Sequence, residues 1–149
     1  MNNIYPPWWN TTITLYNKFV DPQTNIVKWY RHVISGTFWK YAGNKVVIDK
    51  TVLETNDIIC RIRKDELFKN KFEWVRLPND EMPNYFTLAP EDIIIKGEVD
   101  DEINEYQSGK RATDLKKKYK NLQGCLEIQQ WTDNTGDERG IEHYYVKGI

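Results

Sequence analysis

The 149-residue sequence has few of the residue types from which catalytic and metal centres are built. It contains two histidines and two cysteines, and none of them lies near another at the spacing of a metal site. The G-x-S-x-G, Walker-type and G-x-G-x-x-G motifs are also absent. We therefore expect no enzyme, no metal and no cofactor. His32 and His143 take structural or surface roles, and Cys60 and Cys125 are predicted to be buried free thiols.

Charge and hydropathy argue against two further classes of protein. The net charge is −1, which provides no overall attraction to nucleic acid or to an anionic membrane. No apolar run approaches the roughly 18 residues of a membrane span. The opening MNNIYPPWWN lacks the basic and apolar regions of a signal peptide. We expect a protein that is made in the cytoplasm and has no membrane partner.

Aromatic residues, in contrast, are abundant. They make up 13% of the chain, with six tryptophans and nine tyrosines, which favours strands, interfaces or both. Residues 1–11 are predicted to form an extended arm, because Pro6 and Pro7 cannot donate to a strand ladder. Trp8 and Trp9 are costly to leave in water. The arm therefore docks on its own domain or on a neighbouring subunit, and the sequence leaves both possibilities open.

Short strand-like segments separated by turn residues predict one mainly β domain over residues 12–149. The segments are 13–19, 26–36, 37–43, 46–49, 57–63, 86–99, 126–133 and 141–148. Gly36 separates the second from the third, and the continuous run Ile93–Ile95 predicts a strand that is covered on both faces. The fold class is a small β-barrel or sandwich with long inserted loops at about 64–85 and 100–122.

One short helix is predicted near residue 115. Ala112, Leu115, Tyr119 and Leu122 recur at intervals of three and four, which places them on one helical face. The lysines of KKKYK, with Lys110 and Arg111, are then most simply a solvated face. The alternatives are contact with DNA or pairing with an acidic surface, such as the EVDDE segment of a neighbouring subunit.

Two acidic segments were considered as sites. DNTGDERG fails as an EF-hand loop, because the sixth residue from Asp133 is Glu138 rather than glycine. A plain hairpin loop is favoured, and an open carboxylate site formed by Asp133, Asp137 and Glu138 is the alternative. Glu98, Asp100, Asp101 and Glu102 of EVDDE are interpreted as a solvated loop or an electrostatic surface.

Several separated motifs resemble a known family. They are ITLYNKFVDPQTNIVKWYRHVISGTFW, DIICRIR, FTLAPEDIIIKGEVDDEI, TDLKKKY and QQWTDNTGDERGIEHYYVKG, which together span most of the chain from residue 12. The chain resembles small neck proteins encoded among the head and tail genes of tailed phages and prophages of Gram-positive bacteria, most of them described as of unknown function. The order of elements is also similar to head–tail joining proteins, with EDIIIKGEV as the late strand before the last hairpin.

The resemblance implies a structural virion protein of the neck, a head-completion or stopper subunit. Such subunits are small β-barrels that form a homo-oligomeric ring, here a hexamer or dodecamer, and close the DNA channel. The implied partners are a portal–adaptor ring above, a tail terminator or tail protein below, and packaged double-stranded DNA passing close by. Adaptor and tail terminator remain alternatives to stopper.

Candidate residues follow from this interpretation. Aromatic side chains dominate interface hot spots, so the interface candidates are Trp8, Trp9, Trp74 and Tyr85. By analogy with inserted loops of such barrels, 64–85 and 100–111 are candidate channel or docking segments. The charged candidates in the second segment are Asp100, Asp101, Glu102, Lys110 and Arg111.

Other functions remain open at this stage. A barrel that binds single-stranded nucleic acid would stack bases on Trp29, Tyr30, Trp39 and Tyr41. That hypothesis requires these rings to face solvent beside Arg31 and Lys40. A metal-dependent enzyme would use the carboxylate loops. A baseplate or tail-tube component is a further alternative among virion proteins.

Overall fold

Six antiparallel strands, two short α-helices and one 3₁₀ helix (Met82–Asn84) make up the fold of the described residues. The computed structural model describes residues 5–136 and 140–149, with the backbone alone over 43–48 and 51–56. The elements are β1 (Thr11–Val20), β2 (Val27–Ile48), β3 (Thr51–Arg63), α1 (Lys71–Trp74), β4 (Ile93–Lys96), α2 (Ala112–Lys120), β5 (Cys125–Asn134) and β6 (His143–Gly148). The strands close into a barrel in the order β1-β2-β3-β6-β5-β4. The mainly β prediction is confirmed, and of the two architectures proposed the chain adopts the barrel.

β2 is a single long strand, although the sequence predicted three shorter ones between residues 26 and 49. Gly36 does not end the strand. It takes a φ of 68° at a bulge, where the pairing with β1 shifts between Ile13↔Ile34 and Thr11↔Thr37. Arg63 Nε donates to Gly36 O at 2.8 Å, and a Cβ on residue 36 would lie 2.7 Å from that nitrogen. Glycine therefore bends the strand, so that its first half pairs with β1 and its second half with β3.

The interior of the barrel is filled by side chains from every strand. The largest buried residues of this cluster include Ile13, Leu15, Ile62, Ile94, Leu126 and Ile128. On β4, the residues on either side of Ile94 in the sequence, Ile93 and Ile95, belong to a second buried cluster outside the barrel. α2 contributes Leu115 and Tyr119 to this second cluster. The predicted coverage of the isoleucine run on both faces is thus confirmed.

The predicted helix is present but ends earlier than its apolar pattern suggested. α2 stops at Lys120, and Leu122 is 71% exposed rather than packed with Leu115 and Tyr119. The two cysteines are free and buried, as predicted. Burial raises the pKa of the Cys60 thiol to about 12 and that of Cys125 to about 11, so both stay protonated at neutral pH. No helix in the described ranges is long and apolar enough to cross a membrane.

A buried polar node joins the end of β1 to the start of β4. The Asp92 carboxylate accepts hydrogen bonds from the Asn17 side chain at 2.9 Å, Lys18 N at 2.9 Å and Ala89 N at 3.1 Å. Asn17 in turn donates to Thr87 O at 2.6 Å and accepts from Thr87 N at 3.2 Å. Asn17 and Asp92 are both fully buried. Their mutual satisfaction is what makes two polar side chains tolerable at this depth.

The N-terminal arm docks on its own domain through one of its two tryptophans. Trp9 is 5% exposed, and its ring lies 6.2 Å from that of Phe38 and 5.6 Å from that of His143. Arg63 also donates to Trp9 O at 3.1 Å. Trp8 is 65% exposed. Of the two docking modes left open by the sequence, Trp9 uses the intramolecular one, and residues 1–4 of the arm lie outside the described residues.

We predict a pH-dependent stability difference between the wild type and Asp92→Asn. Burial raises the pKa of Asp92 from 3.8 to about 6, so the folded state holds this proton more tightly than the unfolded chain does. The stability from this group is fully present below pH 3.8 and is lost as the pH rises through 6. The wild type should lose up to about 3 kcal/mol relative to the variant between pH 4 and 7.

The measurement is chemical denaturation of both proteins across this pH range, with Glu91→Gln as the control. Glu91 is adjacent in sequence but its side chain is 69% exposed. A constant difference between wild type and Asp92→Asn, parallel to that of the control, would contradict the assignment.

The two arm tryptophans should differ sharply in their effect on stability. Trp9→Ala removes a buried indole and should reduce the free energy of unfolding by about 3–5 kcal/mol. Trp8→Ala removes an exposed indole and, at protein concentrations low enough to keep the chain monomeric, should change the free energy of unfolding by less than about 0.5 kcal/mol. Thermal and urea denaturation of the pair measure this, and equal effects would show that the arm is not docked through Trp9.

Candidate functional site

The DNTGDERG loop joins β5 to β6 as the end of a hairpin. Asp133 Oδ1 accepts the backbone N–H of Thr135 at 2.9 Å, a local turn contact that favours the plain hairpin interpretation. The other two members of the alternative carboxylate site, Asp137 and Glu138, lie outside the described residues. Within residues 5–136 and 140–149, no three His, Cys, Asp or Glu side chains are grouped so that they could hold a metal ion.

Both histidines occupy packed positions. Burial lowers the pKa of His32 to about 4, and in the part of the chain that the structure describes its Nε2 has no hydrogen-bond partner. The His143 ring lies against Trp9, and its Nδ1 is 2.6 Å from Ile141 O. This packing matches the structural role predicted for both residues.

The acidic and basic segments contact each other within one subunit. Asp101 accepts from Lys118 Nζ at 2.8 Å and from the hydroxyl of Tyr119. Asp100 is exposed, with one carboxylate oxygen 3.4 Å from the guanidinium of Arg31. One of the alternatives predicted from the sequence is pairing between the basic helix and the acidic segment of a neighbouring subunit. Asp101 and Lys118 instead form an ion pair within the same subunit. Of the remaining charged candidates, Glu102, Lys110 and Arg111 are exposed.

The four predicted interface aromatics take three different positions. Trp74 is fully buried, with its ring against Phe19 and its Nε1 donating to Tyr85 O at 3.0 Å. It cannot anchor a partner, and that prediction was wrong because the 64–85 insertion folds back onto the barrel. Trp9 is likewise buried in contacts within its own subunit. Tyr85 is half-buried beneath Lys69, whereas Trp8 is exposed and available.

The aromatic rings proposed as a base-stacking platform do not form one surface. Trp29 Nε1 donates to Glu105 at 3.0 Å, and Tyr30 packs edge-on against Trp74 at 5.5 Å. Trp39 packs against the barrel core, while Tyr41 is 59% exposed. Tyr41 is thus the one exposed ring of the four, while the other three are half-buried, and Trp29 and Tyr30 line a surface pocket together with Arg31.

The most prominent feature was not recognised in the sequence. β2 and β3 continue past the barrel as a two-stranded ribbon, residues 42–57, paired from Ala42↔Asp57 to Ile48↔Thr51. Pairing of β2 with β1 stops at Thr37, and pairing of β3 with β6 stops at Ile58, so within the described residues no third strand flanks the ribbon. Its seven pairs correspond to roughly 23 Å.

A turn signal could have identified the hairpin that forms the ribbon, although not its extension beyond the barrel. Asp49 and Lys50 join the strands, and both take positive φ, 48° and 65°, as in a two-residue type I′ hairpin turn. VVIDKTVL places apolar runs on either side of that polar pair, the spacing of a tight hairpin. From the sequence, residues 46–49 are instead predicted to form a separate short strand.

Comparison with known proteins gives a family but no activity. Neither the curated proteins nor the solved structures gave a match to this chain. A family model, described as "Family of unknown function (DUF6751)", matches residues 8–149. This match begins at Trp8 and covers the whole barrel. The chain belongs to this family of unknown function.

Proposed function

We propose that the chain is a structural subunit of the neck of a tailed phage or prophage, a stopper-like head–tail connector. In this proposal its copies form a ring that closes the DNA channel between the portal–adaptor complex and the tail. The observation that carries the proposal is the ribbon of residues 42–57, which leaves a closed barrel and extends roughly 23 Å beyond it.

The ribbon requires a partner for physical reasons. A two-stranded ribbon with no third strand is marginally stable in water. Its tip carries apolar residue types on both strands, at the pairs Val46↔Leu53 and Val47↔Val52. A ribbon whose tip is rich in apolar residue types and whose two edges are open among the described residues invites association with other chains. Contact with further copies around a ring axis would supply the missing cover.

The rest of the barrel suits a subunit that is held in a ring. Closure of the sheet leaves no other long strand edge among the barrel strands that the structure describes. The segments that carry the resemblance to neck proteins include β1, the first half of β2, β4 and both strands of the last hairpin. They therefore form the barrel, while the ribbon tip lies between two of these motifs.

Weak electrostatics suit a channel that DNA must pass through. The net charge of −1 provides no strong attraction to the phosphate backbone. The side chain of Asp100 is fully exposed, and Glu98 and Glu102 are also exposed. Lys118, Lys116 and Lys18 are paired with carboxylates of the same subunit. A subunit of this kind can lie close to DNA without retaining it.

The direct test is the mass of the purified protein in solution, followed by electron microscopy of the protein mixed with portal–adaptor rings from the same genome. We expect a ring, alone or seated on the portal–adaptor complex. A protein that stays monomeric and leaves the portal–adaptor complex unchanged would contradict the connector proposal.

A shortened ribbon should separate ring formation from channel closure. In this variant Gly43 is joined to Asn56 by a two-residue turn, which leaves every barrel pairing in place. We expect the heads to bind the variant but to lose packaged DNA, measured as nuclease-accessible DNA. The matched control replaces Asp49-Lys50 with Asn-Gly, which keeps the ribbon and favours the same turn. Full DNA retention with the shortened ribbon would refute its role in closure.

A further inference from the structure

We infer that Trp8 of one copy of this chain inserts into an apolar cavity at the far end of β1 of the next copy. This contact would join copies head to tail. The inference rests on the proposed ring, and it names the residues through which neighbouring barrels hold each other.

Trp8 is presented to the outside by a rigid turn. Trp9 N donates to Pro6 O at 3.0 Å, which closes a turn with Pro7 and Trp8 at its corner. Proline is favoured at the first corner position of such turns. The buried ring of Trp9 then holds the turn against the barrel. Trp8 is the one exposed tryptophan of the six, all of which the structure describes. A large aromatic side chain on a fixed turn loses little entropy when it binds.

The cavity has the chemistry that an indole requires. Its volume is about 460 Å³, within the range of roughly 300–1,000 Å³ for small-molecule sites. Its lining includes Phe19, Val20, Val75, Lys18, Lys71 and Glu91. The first three are apolar, and Val20 and Val75 are 47% and 39% exposed. The cavity is therefore an open apolar surface rather than a closed core void.

The charged groups on its wall suit tryptophan better than an aliphatic side chain. Lys71 Nζ already lies 4.9 Å from the ring centroid of Trp74, and Lys18 Nζ lies 5.9 Å from that of Trp29. Both ammonium groups are therefore engaged within their own subunit, and Lys71 Nζ also donates to Lys18 O at 2.6 Å. The exposed carboxylate of Glu91 can accept the indole N–H, which an aliphatic side chain cannot offer. The cavity thus combines apolar contact with a hydrogen-bond acceptor.

The geometry of β1 prevents a copy from filling its own cavity. Trp8 precedes the first residue of β1, Thr11, whereas the cavity surrounds its last residues, Lys18–Val20. Ten residues of strand separate the two ends by roughly 30 Å, and three residues of arm reach at most about 11 Å. The contact is therefore intermolecular. Because it joins opposite ends of the subunit, it is heterologous, and heterologous contacts close into rings or continue as filaments.

Other exposed apolar side chains are weaker candidates for the occupant. Phe72 is stacked under Arg76, whose guanidinium carbon lies 3.7 Å from the ring centroid. The hydroxyl of Tyr106 accepts a hydrogen bond from Val27 N at 2.9 Å. Both rings are thus engaged within their own subunit. Trp8 has the largest ring system of the three and belongs to the segment that leads into β1.

Two variants and their mixture test the contact by light scattering after size-exclusion chromatography. Trp8→Ala removes the occupant, and Val20→Trp fills the cavity at an exposed strand position. We expect wild-type protein to form an oligomer and each variant alone to remain at the monomer mass of 17.8 kDa. An equimolar mixture should form a dimer and stop there, because one intact indole and one intact cavity remain, on different copies. Leu122→Ala, at another exposed apolar position, should assemble as the wild type does.

Folding of each variant is checked by circular dichroism and thermal denaturation. If Trp8→Ala keeps the wild-type mass, the inference is wrong, although a ring on the portal–adaptor complex would still support the neck proposal. An oligomer that Val20→Trp alone disrupts would assign the cavity to another segment and also overturn the inference. A monomeric wild type at high micromolar concentration would overturn it as well, and the electron microscopy test of the neck proposal would still stand separately.

Discussion

The hydrogen-bonded node of Asp92 and Asn17 is the constraint on which the closure of the barrel depends. The ladder between β1 and β4 runs from Ile13↔Lys96 to Tyr16↔Ile93, and these two polar residues come directly after it. A closed barrel must end each ladder without leaving buried N–H or C=O groups unpaired. Asp92 achieves this by accepting two backbone N–H groups, and Asn17 does so by bonding the backbone N–H and the backbone C=O of Thr87.

The node also shapes the surface above it. Ala89 and Glu91 line the cavity at the end of β1, and Glu91 has a φ of 80°, which is unusual for a side chain other than glycine. The hydrogen bonds that the Asp92 carboxylate accepts from Ala89 N and Lys18 N hold the turn at residues 89–92 in place. A buried interaction that completes the barrel therefore also sets the wall of the surface we assign to subunit contact.

Two structural elements show how far local patterns carry. The run of three isoleucines in β4 predicted coverage on both faces, and the barrel core and α2 provide it, because a strand apolar at every position has no face for water. The sequence predicts that a strand ends at Gly36, whereas Gly36 bends one continuous strand. A glycine signals positive φ equally well in a turn and in a bulge, so the pattern alone could not choose between them.

The sequence by itself determined the class of fold, the last hairpin, the short helix and the burial of both thiols. These follow from alternation and residue type, which act over a few neighbouring residues. Tertiary structure alone decided which tryptophan of the Trp8-Trp9 pair is buried, that Trp74 serves the interior, and that Asp101 pairs with Lys118. It also decided that β2 and β3 outrun their neighbours to form a ribbon. Each of these features depends on where strands that are distant in the sequence end and meet in space. Patterns of neighbouring residues do not encode those long-range positions.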